Sequence, residues 1–99
     1  MFKAIADPTR REVLALLRER PMNAGELAGR FTHSKPTMSA HFAVLKEAGL
    51  IDASRHGKSI VYRLRMSVLE EALTGLAQAV GLDLARDPPP VTETKEEKA

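Results

Sequence analysis

Apolar residues recur along this chain with two different periods, and the change falls at Gly49. Before it, Val13, Leu14, Leu16 and Leu17 form one face of a helix that Asp7-Pro8 opens and Pro21 closes. The Asp7 carboxylate can accept from free N–H groups of the first turn, and Pro8 at the first helical position gives up no needed donor. This predicts a helix over residues 8–20, preceded by a short one over residues 2–6. Asn23 and Glu26 have capping-box spacing, and Leu27, Ala28 and Phe31 supply the buried side of about two further turns. Thr32-His33 is the next break. Ser34 or Lys35 caps a longer helix. The residue before a proline avoids helical angles, so Pro36 is expected as its first helical residue. Met38, Phe42 and Leu45 share one face, and Gly49 is the stop.

Beyond Gly49 the pattern becomes strand-like. Residues 50–55 and 59–64 are short runs, the second rich in β-branched and aromatic residues, linked by His56-Gly57-Lys58 into a hairpin with a basic tip. Alternation puts Ile60, Tyr62 and Leu64 on one face, so Tyr62 reads as packing. Ser67 and Glu70 have capping-box spacing again and open a helix to about Val80, with Gly81 as its stop. Leu69, Leu73, Leu76 and Val80 make its apolar stripe. From Leu82 onward the periodicity vanishes into Pro88-Pro89-Pro90 and a Glu/Lys-rich end, an extended tail by composition. No internal repeat is present. The expected order is α-α-α-α-β-β-α followed by a tail.

Composition narrows what such a chain can do. With 99 residues, 43% of them hydrophobic, it can build one modest core. We therefore assign residues 1–81 to one domain and 82–99 to a disordered tail, and expect no enzyme cleft. The absence of cysteine excludes disulfides, thiolate metal sites and cysteine nucleophiles. No apolar run reaches the roughly 20 residues that span a bilayer, and Met1 leads into Phe2-Lys3-Ala4-Ile5 without a signal-peptide pattern. The expectation is a cytoplasmic protein without stable membrane insertion. Residues 1–81 carry 12 Lys+Arg against 8 Asp+Glu, whereas residues 82–99 carry 3 against 5. Between residues 30 and 65, 7 basic residues face only 2 acidic ones, which suits a polyanion-facing surface as well as an ordinary solvated one.

A short helix, a tight break and a longer helix with a polar N-terminal half make a helix-turn-helix candidate, and the basic hairpin that follows at once makes it more specific. A recognition helix must offer small, hydrogen-bonding side chains to base edges while its other face is anchored. In Ser34-Lys35-Pro36-Thr37-Met38-Ser39-Ala40-His41-Phe42, Met38 and Phe42 point inward. That leaves Lys35, Pro36, Thr37, Ser39, Ala40 and His41 at or beside the outer face as candidate DNA contacts. Arg55, His56 and Lys58 at the hairpin tip could straddle phosphates or enter a minor groove, as a wing does.

The segments FKAIADPTRREVLALL, ELAGRF, SKPTMSAHFAVLKEAGLI and RHGKSIVYRL, within residues 2–81, resemble the ArsR/SmtB-type repressor family. The Ser-Lys-Pro-Thr start of the recognition helix is similar to its autorepressor (SdpR-like) branch. The resemblance implies a winged helix-turn-helix, mainly α with a small β-hairpin (α+β), dimerising through its first and last helices. Candidate dimer contacts are Phe2, Ile5, Leu69, Ala72, Leu73, Leu76 and Val80. The chain departs from the family's metal sensors. No cysteine surrounds Glu26-Leu27-Ala28-Gly29-Arg30, and residues 68–80 hold no His and only Glu70 and Glu71 as carboxylates. We expect no metal and no cofactor.

Plainer readings stand beside these. The leucine stripe could serve the core alone, and Gly75 within it either permits close helix approach or is merely tolerated. His41 is read as a DNA contact, a surface bystander or, least supported, a metal ligand; His33 and His56 as solvent-facing or as a source of pH sensitivity. Arg10 and Arg11 either touch phosphate or line a solvated face. Four aromatic residues argue against single-strand binding by base stacking. The leading function is a sequence-specific repressor that binds double-stranded DNA as a homodimer at an imperfect palindromic operator, acting by promoter occlusion. The alternative is a protein-interaction module on a winged-helix scaffold. The releasing signal, an unidentified inducer or a protein partner, is left open.

Overall fold

The computed structural model describes residues 2–82. The first helix, α1, spans Phe2–Ile5 and α2 spans Pro8–Glu19. Asp7 caps α2 as its chemistry dictates, its carboxylate accepting from the N–H groups of Thr9 at 2.8 Å and Arg10 at 3.1 Å. A two-residue strand, β1 (Met22–Asn23), leads into α3 (Ala24–Ala28). The capping box is complete: the Glu26 N–H donates to Asn23 Oδ1 at 2.7 Å, and the Asn23 N–H donates to Glu26 Oε1 at 3.2 Å.

Helix α4 spans Lys35–Glu47 and corrects one expectation: Lys35, not Pro36, is its first helical residue. Ser34 is extended and its Oγ accepts from the Thr37 N–H at 3.3 Å. A hydroxyl cap one position earlier offsets the pre-proline bias at Lys35, and Pro36 at the second position still forfeits no intrahelical bond. At the other end the chain turns through Gly49 at φ 78. The N–H of Leu50 donates to the Leu45 carbonyl at 3.0 Å and that of Gly49 to the Lys46 carbonyl at 2.9 Å, a Schellman closure that seats Leu45 and Leu50 together in the core.

Strands β2 (Ile51–His56) and β3 (Ser59–Leu64) form the hairpin, with Ala53 opposite Tyr62 and His56 opposite Ser59. The loop is only Gly57-Lys58, and Gly57 at φ 63 has the left-handed backbone that primed hairpin turns demand at this position. β1 pairs with the free side of β3, Met22 opposite Tyr62, so the sheet is three-stranded and antiparallel in the order β1-β3-β2. The sequence pattern did not reveal β1, because two residues between Pro21 and a helix cap cannot show a period.

Helix α5 spans Met66–Ala79. The expected Ser67–Glu70 capping box does not form. Arg65 is the N-cap, without a side-chain hydrogen bond, and Ser67 lies inside the first turn. The cause is the sheet: the Arg65 N–H extends the ladder by donating to the Leu50 carbonyl at 2.8 Å, and the chain can turn only after it, with the N–H groups of Val68 and Leu69 both donating to the Arg65 carbonyl. Gly81 at φ 88 ends the helix as expected. Apart from Leu82, the tail assigned to residues 82–99 lies outside the described residues.

Val13, Leu27, Met38, Leu45, Leu50 and Ile51 are the large side chains removed entirely from water. Each contributes about 1.5–3 kcal/mol of burial, and together they clamp α2, α3, α4 and the start of β2 into one body. Tyr62 lies against this core with its ring 5.0 Å from that of Phe42, and burial pushes its hydroxyl pKa up. Among the described residues no helix is long and apolar enough to cross a membrane.

Candidate nucleic-acid interface

The inner face of α4 is fixed by Met38, Phe42 and Leu45, which are 0%, 4% and 0% exposed. Its first two turns therefore present one determinate outer face. Lys35, Pro36, Thr37, Ser39 and Ala40 are all exposed there, and His41 is half-buried at the side of the helix. The Ser34 hydroxyl donates to Thr37 Oγ1 at 3.0 Å, so the Thr37 hydroxyl keeps its own proton free to donate outward. Beneath this end, Ala24, Gly25, Ala28, Met38 and Phe42, with Lys35 and Ser39 at the rim, enclose a hollow of about 210 Å³ between α3 and α4.

At the hairpin tip Arg55, His56 and Lys58 are exposed. His56 Nε2 lies 3.2 Å from the Ser54 hydroxyl. The only ion pair among the described residues joins Arg20 to Glu26 at 3.1 Å, so the cations of α4 and of the hairpin have no acidic partner there. An unpaired cation on a rigid hairpin is available to phosphate without first breaking a salt bridge. Glu26, by contrast, is held below the usual carboxylate range by the Arg20 guanidinium and then by the Asn23 N–H.

The residues named as dimer contacts divide into two groups. Phe2, Leu73, Leu76 and Val80 are 47%, 43%, 38% and 65% exposed. Ala72, at 7%, is already covered within the chain, and Ile5 and Leu69 are half-buried. The sequence reading missed two further exposed apolar residues, Met66 at the start of α5 and Leu82 just beyond its Gly81 stop. Ile5, Leu14, Ala15, Leu69 and Leu73 line an open groove of about 290 Å³, with Arg11 and Arg18 at its edge. A second apolar hollow, formed by Leu73, Leu76, Ala77, Val80 and Leu82, continues it along α5.

A polar cluster that sequence spacing did not assemble joins α2 to α4. Arg10 Nη1 lies 3.2 Å from His41 Nδ1, Thr9 Oγ1 lies 3.2 Å from His33 Nε2, and the two imidazole rings are 6.1 Å apart. No group of three or more His, Cys, Asp or Glu side chains disposed for a metal occurs among the described residues.

Comparison with known proteins places this arrangement among regulators. The profile of the bacterial regulatory protein, arsR family matches residues 7–53. The transcriptional repressor SdpR of Bacillus subtilis is 45% identical over 73 residues, covering 74% of this chain and 81% of SdpR. A biofilm growth-associated repressor of Agrobacterium fabrum is 36% identical over 65% of this chain, which spans 55% of that protein. Among solved structures, one described as a possible transcriptional regulator for arsenical resistance superimposes with a TM-score of 0.73 at 33% identity, covering 82% of this chain and 83% of that one.

Proposed function

The chain belongs to the arsR family of bacterial regulatory proteins and is a DNA-binding transcriptional repressor, and we propose that it acts as a cytoplasmic homodimer on an imperfect palindrome in double-stranded DNA, by promoter occlusion. The observation that carries this reading is the two-sided build of α4: an apolar face locked in the core, and Lys35, Pro36, Thr37, Ser39 and Ala40 exposed away from it. In this reading Thr37 and Ser39 meet base edges, Lys35 and the wing residues Arg55, His56 and Lys58 meet phosphates, and half-sites lie about 10 bp apart or a multiple of that. No enzymatic role, metal or cofactor is assigned.

The apolar strip on α5 supports the dimer. Leu73 and Leu76 on α5, a helix of about 20 Å, and Val80 at its C-cap are exposed large apolar side chains, as is Phe2, and a symmetry-related copy would cover them. The deciding experiment is fluorescence-anisotropy binding to the protein's own upstream DNA and to a scrambled duplex, with Ser39→Ala beside the wild type. Selective binding that Ser39→Ala makes less selective supports the assignment. Equal, weak binding to both duplexes by both proteins would turn the reading toward a protein-interaction module.

A further inference from the structure

Arg10 joins the two ends of the proposed functional surface. Its Nε donates to the Ala4 carbonyl at 2.8 Å and its Nη2 to the Lys3 carbonyl at 3.0 Å, which also accepts from the Ala6 N–H at 3.3 Å, so Arg10 ties down the C-terminal end of α1. The remaining arm, Nη1, lies 3.2 Å from Nδ1 of His41 on α4. A guanidinium has no acceptor, so His41 Nδ1 must accept, and only a neutral imidazole can do so. The groups facing this joint are Asp7 and Thr9 at the start of α2 and His33 from the turn before α4. His41 flanks the buried stripe of α4 and so sits where a polar tie adds to the apolar anchor in resisting rotation of the helix about its own axis.

We propose that Arg10 and His41 are positioning residues: the Arg10 fork fixes the attitude of α4 relative to α1, and this tie sets how sharply the protein discriminates its operator from other DNA. The inference rests on the reading of α4 as the recognition helix. It assigns His41 a different task from direct base contact. Base readout needs side chains held to within about half an ångström, which polar supports behind the reading face provide. Because α1 belongs to the proposed dimer surface, the same tie relates the reading face to the two-fold axis, and hence to half-site spacing.

Opposite signs under acid separate this role from a direct contact. Protonating His41 removes its acceptor and sets an imidazolium against the Arg10 cation, so selectivity should fall. A His41 that touched phosphate or a base acceptor would instead bind more tightly when charged. The experiment uses the full-length chain, duplexes that the wild type enriches from a random pool, and an unselected random duplex, at about pH 7.5 and about pH 5.5, a range over which free imidazole changes charge. The readout is the ratio of the two affinities, in which sequence-independent phosphate contacts largely cancel.

The wild-type ratio should fall at least about fivefold in acid. His41→Asn, which keeps an acceptor near the Nδ1 position and leaves His33 in place, should hold its ratio. Arg10→Lys keeps the charge but has a single nitrogen where the three acceptors are met by three, and should lower the ratio about tenfold at both pH values while random-duplex binding stays within about twofold. Adding His41→Ala to Arg10→Lys should cost no more than Arg10→Lys alone. Melting curves without DNA identify any variant that fails to fold, in which case the acid response of wild type against His41→Asn decides. An acid-strengthened wild-type ratio, an Arg10→Lys ratio equal to wild type, or equal losses on both duplexes would each overturn the proposal. A wild type that enriches no duplex would remove the repressor reading and the inference together.

Discussion

Lys58 offers a quantitative test of the wing. It is exposed in the two-residue loop Gly57-Lys58 and has no acidic partner among the described residues, so its replacement by Ala removes one cation and disturbs no packing. If its ammonium lies on a phosphate, binding releases condensed counterions, and each such contact contributes about 0.9 to the slope of log affinity against log salt. A two-fold dimer places two wings on the duplex, so Lys58→Ala should flatten the slope by about 1.8. Between about 50 and 200 mM salt, wild-type affinity should then fall about 12-fold more than that of the variant, against about 3.5-fold more if only one wing binds. The assay is a salt series of anisotropy titrations at a single fixed pH. Cognate and random duplexes should show the same slope change, because phosphate carries no sequence. A slope unchanged by Lys58→Ala would remove the wing from the interface, and a change of about 0.9 would contradict two equivalent wings.

Other perturbations follow from the same geometry. Leu73→Glu with Leu76→Glu places carboxylates on side chains already exposed in the chain, so the fold should survive while sedimentation shows a monomer and cognate affinity falls at least about a hundredfold. Gly49→Ala should cost about 1–2 kcal/mol in urea denaturation: an added Cβ would find Val68 Cγ1 at a comfortable 3.9 Å, but φ 78 is strained for any L side chain. Gly75→Ala should instead gain about 1 kcal/mol, since the residue is inside α5 with nothing within 4 Å of an added Cβ. Asp7 is held below the usual range by the Arg10 N–H, the largest cause, and Glu26 by the Arg20 guanidinium. Both pKa values are depressed on folding, so their stabilisation is fully present above the unfolded values and disappears as the pH drops through the folded ones. Thermal stability should therefore decline as pH falls below about 4.5, and less steeply in Asp7→Asn, which keeps a cap without a titrating group.

The sequence was most legible where a few neighbouring residues settle the geometry. Asp7-Pro8 and Asn23 with Glu26 start helices in the structure as their spacing indicates, and Gly49 and Gly81 end them with positive φ. The hydrophobic period located Val13, Leu14 and Leu17 on α2, and Met38, Phe42 and Leu45 on α4. It was less legible where a distant strand intervenes. Ser67 and Glu70 have the spacing of a cap, yet the Arg65 N–H is already committed to the Leu50 carbonyl and moves the helix start upstream. The strand at Met22–Asn23 exists because β3 offers a free edge opposite Tyr62, a fact about the folded sheet and not about residues 22 and 23.

The candidate site divides along the same line. Which residues of α4 are exposed follows from which are buried, so Lys35, Thr37 and Ser39 could be named from the helical period alone. What holds that face at its angle could not. Arg10 offered sequence reasoning only two options, phosphate or solvent, because its actual acceptors are the carbonyls of residues 3 and 4 and a ring 31 positions away. Those three acceptors meet only after α1 has folded back on α2 and α4 has docked against the same helix. Affinity, which depends on counting exposed cations, was thus open to the sequence. Selectivity, which depends on how rigidly α4 is presented, rests on a contact that only tertiary structure creates, and the two should respond separately when Lys58 and Arg10 are changed.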